Sequence, residues 1–385
     1  MKKKVLEKGK EIVKHRYFLP TCCMLVLLFT LSFIDTSFIL GEDISYEKKN
    51  EIQEPIVPTI PPLDTVLYDF LLEKLANNPI PPVVEPKIDP TTGQVIPPPQ
   101  PLGHSPTGEA KPNLWPMKTV YANAGAILPF NRIVAFYGNL YSTKMGALGE
   151  YSEDIMLNKL QGEVKKWTDA DPEIPAIPAL HYIAVTAQGS PGESGMYRFR
   201  MPDKEIDKVL AMAEKINAIV FLDIQVGLSN LQSELPIFEK YLKMPQVHLG
   251  IDAEFSMKTG KRPGTVVGTF DAQDINYAAN YLAKLVKENN LTPKIFVVHR
   301  YTQKMITNYK NIKPLPEVQI VMHMDGWGGE AKKKNTYNQF IMKEPVQFTG
   351  FKLFYKNDIK TPGTVIMQPV DVLEINPKPI YIQYQ

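Results

Sequence analysis

From about Met117 onward the apolar positions of the chain switch between two periods. Short runs rich in β-branched and aromatic residues read as buried strands. Between them, apolar residues recur at the three-and-four spacing of amphipathic helices. The strand runs fall at 132–138, 179–186, 219–225, 247–255, 294–301, 318–325, 348–355 and 379–384. Helical spacing covers 152–167, 203–217, 233–243, 271–289, 302–309 and 330–341, with a weaker hint at 370–374. Eight alternating units predict an α/β protein built as a single (β/α)₈ barrel. A doubly wound open sheet is the alternative, and the even spacing favours closure. Helix-to-strand connections are short (217–218, 244–246, 290–293). Strand-to-helix connections are long and rich in glycine and aromatics (137–151, 187–202, 256–270). In such barrels the second kind of loop builds the functional face.

Upstream the pattern changes. Residues 1–17 carry Lys2, Lys3, Lys4, Lys8, Lys10, Lys14 and Arg16 against Glu7 and Glu11, and 18–40 form an apolar run broken by one charge, Asp35. A spanning helix needs about 20 mainly apolar residues, and flanking cations stay cytoplasmic. A single-pass transmembrane anchor with an extracellular barrel is therefore expected. A cleaved signal peptide is the rival, disfavoured by the long basic segment and by poor small-x-small sites, of which Thr30-Leu-Ser32 and Ile39-Leu-Gly41 are the best. Residues 41–116 read as a proline-rich stalk, as in Pro79-Ile-Pro-Pro82 and Pro97-Pro-Pro-Gln-Pro101, because such segments favour extended polyproline II and build no core. Within it, Leu63, Val66, Leu67, Phe70, Leu71 and Leu75 predict one short amphipathic helix that packs on the main domain. The predicted organisation is a cytoplasmic basic segment (1–17), an anchor (18–40), a stalk (41–116) and a barrel (117–385).

Composition narrows the function classes. The 385 residues carry a net charge of +2, so bulk electrostatics gives no reason to expect a nucleic-acid partner. Both cysteines, Cys22 and Cys23, lie in the apolar run, which leaves the body without a disulfide framework or a cysteine-bound metal. The glycine-rich segment 189–195 fits neither the dinucleotide nor the Walker pattern, and reads as a lid followed by the solvated Arg198 and Arg200.

The candidate chemistry lies at strand C-termini. Asp252 and Glu254 end the fourth strand; Asp223 with Gln225 and His323 with Asp325 end the third and sixth. In an extended strand, residues two apart share a face, and three such pairs converge over a barrel mouth. Buried carboxylates are costly without partners, which marks them as a site rather than packing. A structural layer of salt bridges with Lys352 and Arg300 is the competing reading. The leading chemistry is hydrolysis of a glycosidic bond in an envelope or extracellular polysaccharide. Glu254 is its general acid, Asp252 raises the pKa of Glu254 and supports developing positive charge, and Asp325 completes the catalytic set. Tyr137, Tyr301, Trp327 and Tyr355 would be platforms for sugar rings, with Asp223, Gln225, His299, His323, Lys352 and Gln383 lining the substrate site. No cofactor is called for. Two alternatives remain. One is a non-catalytic barrel that binds envelope polymer, favoured by Lys352 standing on strand seven in place of a carboxylate. The other is a metal-dependent hydrolase using His299, His323, Asp325 and Asp223. Against the latter, no His-x-His or His-Glu-x-x-His occurs and His181, His248, His299 and His323 sit singly on strands.

Two resemblances bear on these residues. The segments Ala135-Phe-Tyr-Gly138, Leu222-Asp-Ile-Gln-Val-Gly227, Ile251-Asp-Ala-Glu-Phe255, His323-Met-Asp-Gly326 and Gly350-Phe-Lys-Leu-Phe-Tyr355 resemble exported and lipoprotein-like barrel proteins of Gram-positive bacteria, over about 130–385. That resemblance implies a barrel and no particular activity. More distantly, Gly250-Ile-Asp252-Ala-Glu254 looks like the end of the strand-four motif of chitinase-type glycoside hydrolases. The likeness implies Glu254 as the acid and Asp252 as the residue assisting the substrate's N-acetyl group. Met322-His-Met-Asp325 is similar to that family's strand-six Met-x-Tyr-Asp, with Met324 in the tyrosine position. His248 and Gly250 stand where the family has further aspartates.

Overall fold

Eight parallel strands close on themselves in a computed structural model that describes residues 60–78, 87–88, 95–96 and 113–385. They are β1 (Arg132–Gly138), β2 (Ala176–Ala187), β3 (Ile219–Ile224), β4 (Val247–Asp252), β5 (Lys294–Arg300), β6 (Val318–Met324), β7 (Phe348–Leu353) and β8 (Tyr381–Tyr384). Each pairs in parallel with its neighbours in sequence, and β8 pairs with β1, which closes the barrel. The predicted basic segment, the apolar run 18–40 and most of the proline-rich stretch lie outside the described residues. Among the described residues no helix is long and apolar enough to cross a membrane.

Side-chain alternation sorts each strand into an inner and an outer row. On β5, Phe296 and Val298 join the apolar layer under the surrounding helices, whereas Ile295 and Val297 join Ile133, Ala179, Phe221 and Val321 inside the base of the barrel. The helix predicted upstream is α1 (Thr65–Ala76), capped by Asp64, whose carboxylate accepts from the Leu67 N–H. Its Tyr68, Leu71 and Leu75 pack with Leu128, Phe348 and Ile380 to cover that base, the docking on the main domain expected from the sequence. Burying each such side chain contributes about 1.5–3 kcal/mol.

Around the barrel run α2 (Glu153–Ala170), α3 (Asp203–Glu214), α4 (Ala272–Glu288) and α5 (Glu330–Tyr337). α4 shows why the pattern was readable: Ile275, Ala278, Ala279, Leu282 and Val286 form one buried stripe. Asp271 and Asp274 exchange side-chain-to-backbone bonds in a capping box. Two predicted helices are corrected. The segment 233–243 is three short turns, 231–234, 235–238 and 239–242, because Pro236 lacks the N–H a continuous helix would use. At 302–309 there are only 3₁₀ turns around Ile306–Thr307, which pairs in parallel with Phe270–Asp271, and Asn308 takes the left-handed conformation at φ 57°. The fourth strand is shorter than predicted. It stops at Asp252, and Ala253–Phe255 form a 3₁₀ turn nucleated by the Asp252 carboxylate, which accepts from the Glu254 N–H at 3.0 Å.

Candidate active site

Toward the C-terminal mouth the inner rows turn from apolar to ionisable. Tyr137 (β1), His181 (β2), Asp223 (β3), Asp252 (β4), His299 (β5), His323 (β6), Lys352 (β7) and Gln383 (β8) are all buried there. Gln225 and Asp325 follow immediately after β3 and β6. Above them opens a cavity of about 550 Å³, lined among others by Tyr137, Gln225, Asp252, Glu254, Tyr301, Asp325, Trp327 and Lys352. The structure thus brings these eight sequence candidates together. Asp223 and His299 lie directly beneath: the Tyr137 hydroxyl donates to Asp223 Oδ2 at 3.0 Å, and His299 Nδ1 stands 2.8 Å from Asp325 Oδ2. Gln225 Nε2 ties Tyr137 (3.2 Å) to Asp252 Oδ2 (3.4 Å).

Three more candidates do not line the cavity. His323 is buried inside the barrel edge-on to His299 and Tyr381, Gln383 donates to the Tyr381 hydroxyl, and Tyr355 stacks on Tyr384 outside the cavity. Their period-2 positions were read correctly. Their depth was not, because depth depends on strand stagger. Arg300 leaves the mouth altogether and pairs with Glu344. Arg198 and Arg200 are not free: both clasp the buried Glu234, Arg198 largely buried and Arg200 still partly exposed. Only Lys352 fits the salt-bridge layer, at 2.9 Å from Asp325 Oδ1 and 3.9 Å from the centre of the Tyr137 ring.

The electrostatics of the floor follow from burial and crowding. Burial, with repulsion from Asp325, Asp223 and Glu254, pushes the Asp252 carboxyl well above the usual carboxylate range, against a counterpull from His299. Burial and Asp325 raise Glu254, which is hydrogen-bonded to Tyr301. Asp325 moves the other way: Lys352 and His299 overcome its burial and hold it low. His299, though buried, is raised by Asp223 and Asp325, while burial lowers His181 to about 4. His299 and His181 likewise hold Asp223 low against its burial, so two acids favour the proton and two the anion within one small volume.

Two overlapping clusters have metal-ligand chemistry: Asp252, His299 and Asp325, whose donor atoms lie within 4.8 Å of one another, and His181, Asp223 and His299 on the same criterion. The metal set expected from sequence is corrected in two ways. His323 belongs to neither cluster, and His181 and Asp252, which it left out, belong to one each. His181 was missed because a lone strand histidine is usually core. What places it is its register opposite Tyr137 on β1.

No family model and no curated protein matches the chain. Among solved structures it is similar to a cellulase (13% identity, TM-score 0.37, 66% of this chain and 75% of that one). It is also similar to the Bacillus subtilis mannanase BCman (14%, 0.33, 67% and 81%) and to a Burkholderia cenocepacia dihydropteroate synthase (8%, 0.30, 67% and 86%). Likeness this remote carries no argument about substrate or mechanism. The class is set by the strand order and the mouth: a (β/α)₈ barrel with an acidic, histidine-bearing pocket floor.

Proposed function

We propose that the barrel is a metal-dependent hydrolase that acts on a polysaccharide at the pocket floor, with Asp252, Asp325 and His299 as the ion's ligands. One observation carries this reading. Four carboxylates (Asp223, Asp252, Glu254, Asp325) crowd the floor, and the cationic groups the structure sets against them there are Lys352 and His299. A divalent cation would relieve that imbalance, and oxygen and imidazole donors suit zinc or manganese. The ion would supply Lewis acidity, polarising a carbonyl or acidifying a water. Glu254 is then the proton acceptor. It borders the cavity with Tyr301 next to it, where its carboxylate could take a proton from the attacking nucleophile. Trp327 on the rim and Tyr301 offer flat faces to sugar rings. If residues 18–40 anchor the chain, these faces meet polymer outside the membrane.

A second reading keeps one observation of its own. Lys352 occupies Asp325 without any ion, and both Asp252 and Glu254 are already pushed toward the protonated form. That suits Glu254 as the general acid of metal-free glycosidic cleavage, with Asp252 assisting. The readings separate in one experiment: release of reducing ends and of acyl groups from envelope polysaccharides by the full chain, with and without chelator. Loss on chelation and recovery with zinc or manganese supports the metal reading. Chelator-resistant activity that Glu254→Gln abolishes supports the acid. Binding with no release under any condition makes the barrel a binding protein.

A further inference from the structure

The geometry points to a second, closed ion site beneath the floor, in which His181 Nε2, His299 Nε2 and Asp223 Oδ1 hold a zinc-type divalent cation that substrate does not reach. This does not rest on the floor ion. It rests on three buried polar atoms without hydrogen-bond partners that converge on one point. Asp223 Oδ1 lies 3.4 Å from His181 Nε2 and 3.6 Å from His299 Nε2. Those separations are long for hydrogen bonds. Donors bound tetrahedrally to zinc at about 2.0–2.1 Å stand about 3.3–3.5 Å apart, which matches.

The opposite edge of each side chain is already engaged. His181 Nδ1 is 2.6 Å from the Tyr381 hydroxyl, and His299 Nδ1 is 2.8 Å from Asp325 Oδ2. Asp223 Oδ2 takes the Tyr137 hydroxyl. Metal-bound histidines characteristically give their other N–H to an oxygen, which fixes the ring and leaves the remaining nitrogen unprotonated. His181 Nδ1 and, while the floor holds no ion, His299 Nδ1 face oxygens that can take such an N–H; with both ions bound, the His299 ring would bridge them as an imidazolate. His181 is also stacked on Phe221, with centroids 5.1 Å apart and planes 5° from parallel.

The close gathering of two of the donors depends on Gly250. A Cβ there would stand 2.4 Å from His181 Nε2 and 2.6 Å from Asp223 Oδ1, so only glycine lets these two donors close in on β4 and on each other. Gly250 has no positive φ to explain a glycine, and glycine inside a strand weakens it. Space is the remaining reason. All three donors are fully buried, and Tyr137, Gln225 and Asp252 cover them from the pocket, so this ion would fasten β2, β3 and β5 together rather than meet substrate.

The full chain is equilibrated with zinc, freed of excess and assayed for bound zinc, alongside His181→Phe and Asp252→Asn. His181 and Asp223 belong to the deep set alone and Asp252 to the floor alone, so each variant empties one site. The expected result is two zinc ions per wild-type chain and one in each variant. The ion kept by Asp252→Asn should show two imidazoles by X-ray absorption, and should raise the melting temperature of that variant. Zinc that Asp252→Asn abolishes and His181→Phe retains overturns the deep site and leaves the floor reading standing. The reverse pattern does the opposite, and no zinc in any protein overturns both. Should His181→Phe fail to fold, an imidazole count below two on the Asp252→Asn ion decides against the site.

Discussion

The two ends of the barrel both bury ionisable groups, and they treat them in opposite ways. At the base, Arg132 pairs with Asp171 at 2.9 Å and also donates to the carbonyls of Pro379 and Ile174. Lys294 Nζ donates to the carbonyls of Met244 and Val247 at 2.6 and 2.9 Å, and Gln319 both accepts from the Leu128 N–H and donates to its carbonyl. Each charge there ties a loop to a strand. At the mouth, like charges are crowded together, and four ring nitrogens on His181, His299 and His323 have no partner, against one at the base, on His248. Unpaired buried polar groups cost about 1–3 kcal/mol each, so they persist where something other than stability is selected. The base is where buried charges mostly tie the fold together, and the mouth is where they are crowded.

The sharpest break between the ends is a variant that removes activity without touching stability. Glu254→Gln keeps the shape, removes the proposed proton acceptor and relieves repulsion with Asp325. Turnover should fall about 10²–10⁴-fold, with a melting temperature equal to or above wild type. A matching loss of stability would show that Glu254 belongs to the framework. The converse variant is Arg132→Met. It strands Asp171 and two carbonyls, and breaking a buried pair this way costs about 3–5 kcal/mol. Denaturant unfolding should show that loss, while the folded fraction keeps wild-type turnover.

The same contrast explains what was legible in the sequence. Strand number, closure, the long loops at one rim and α1 on the base all follow from local periodicity and turn chemistry, which the chain carries explicitly. That Asp252, Glu254 and Asp325 would gather at one cavity was legible because carboxylates ending apolar strands have no packing role. Depth and partnership were not visible. Whether a strand residue sits at the floor or one layer down depends on stagger between neighbours. Tyr355 and His323 therefore looked equivalent to Tyr301 and His299, and His181 looked like core. The pairing of Arg198 and Arg200 was hidden for a related reason: their partner Glu234 lies 36 and 34 residues away, in the turn 231–234.

A titration sharpens the comparison further. Asp252 has its folded pKa raised, so in the ion-free protein the unfolded chain releases this proton first as pH rises from about 4. Over that window the unfolded state binds fewer protons, and the contribution of Asp252 to stability is lost with rising pH. Lys294 at the base runs oppositely. Burial lowers it to about 7, so above that pH the folded state gives up a proton the unfolded chain keeps. Its contribution rises with pH until the unfolded lysine itself titrates. Chemical unfolding of chelated protein between pH 5 and 9 should therefore show Asp252→Asn gaining on wild type as pH rises, and Lys294→Met falling behind above about pH 7. Parallel curves for Asp252→Asn and wild type would mean the floor carboxyls ionise freely and the crowding argument fails.

The smallest effect tests the rim rather than the floor. Trp327 follows β6 with its ring 47% exposed, and Lys332 Nζ lies 4.4 Å from its centre. A side chain so exposed contributes little to folding, so Trp327→Ala should change stability by within about 0.5 kcal/mol. Its faces border the cavity, and an aromatic contact to a ligand is worth about 0.5–1.5 kcal/mol, equivalent to about a two- to twelvefold weakening of polymer affinity. Affinity electrophoresis in gels cast with the polysaccharide reads this directly, with Glu254→Gln as the background so that no substrate is consumed. Unchanged retardation would place the sugar-binding face elsewhere. It would leave the floor chemistry intact, because Asp252, His299 and Asp325 are positioned by β4, β5 and β6 and owe nothing to the rim.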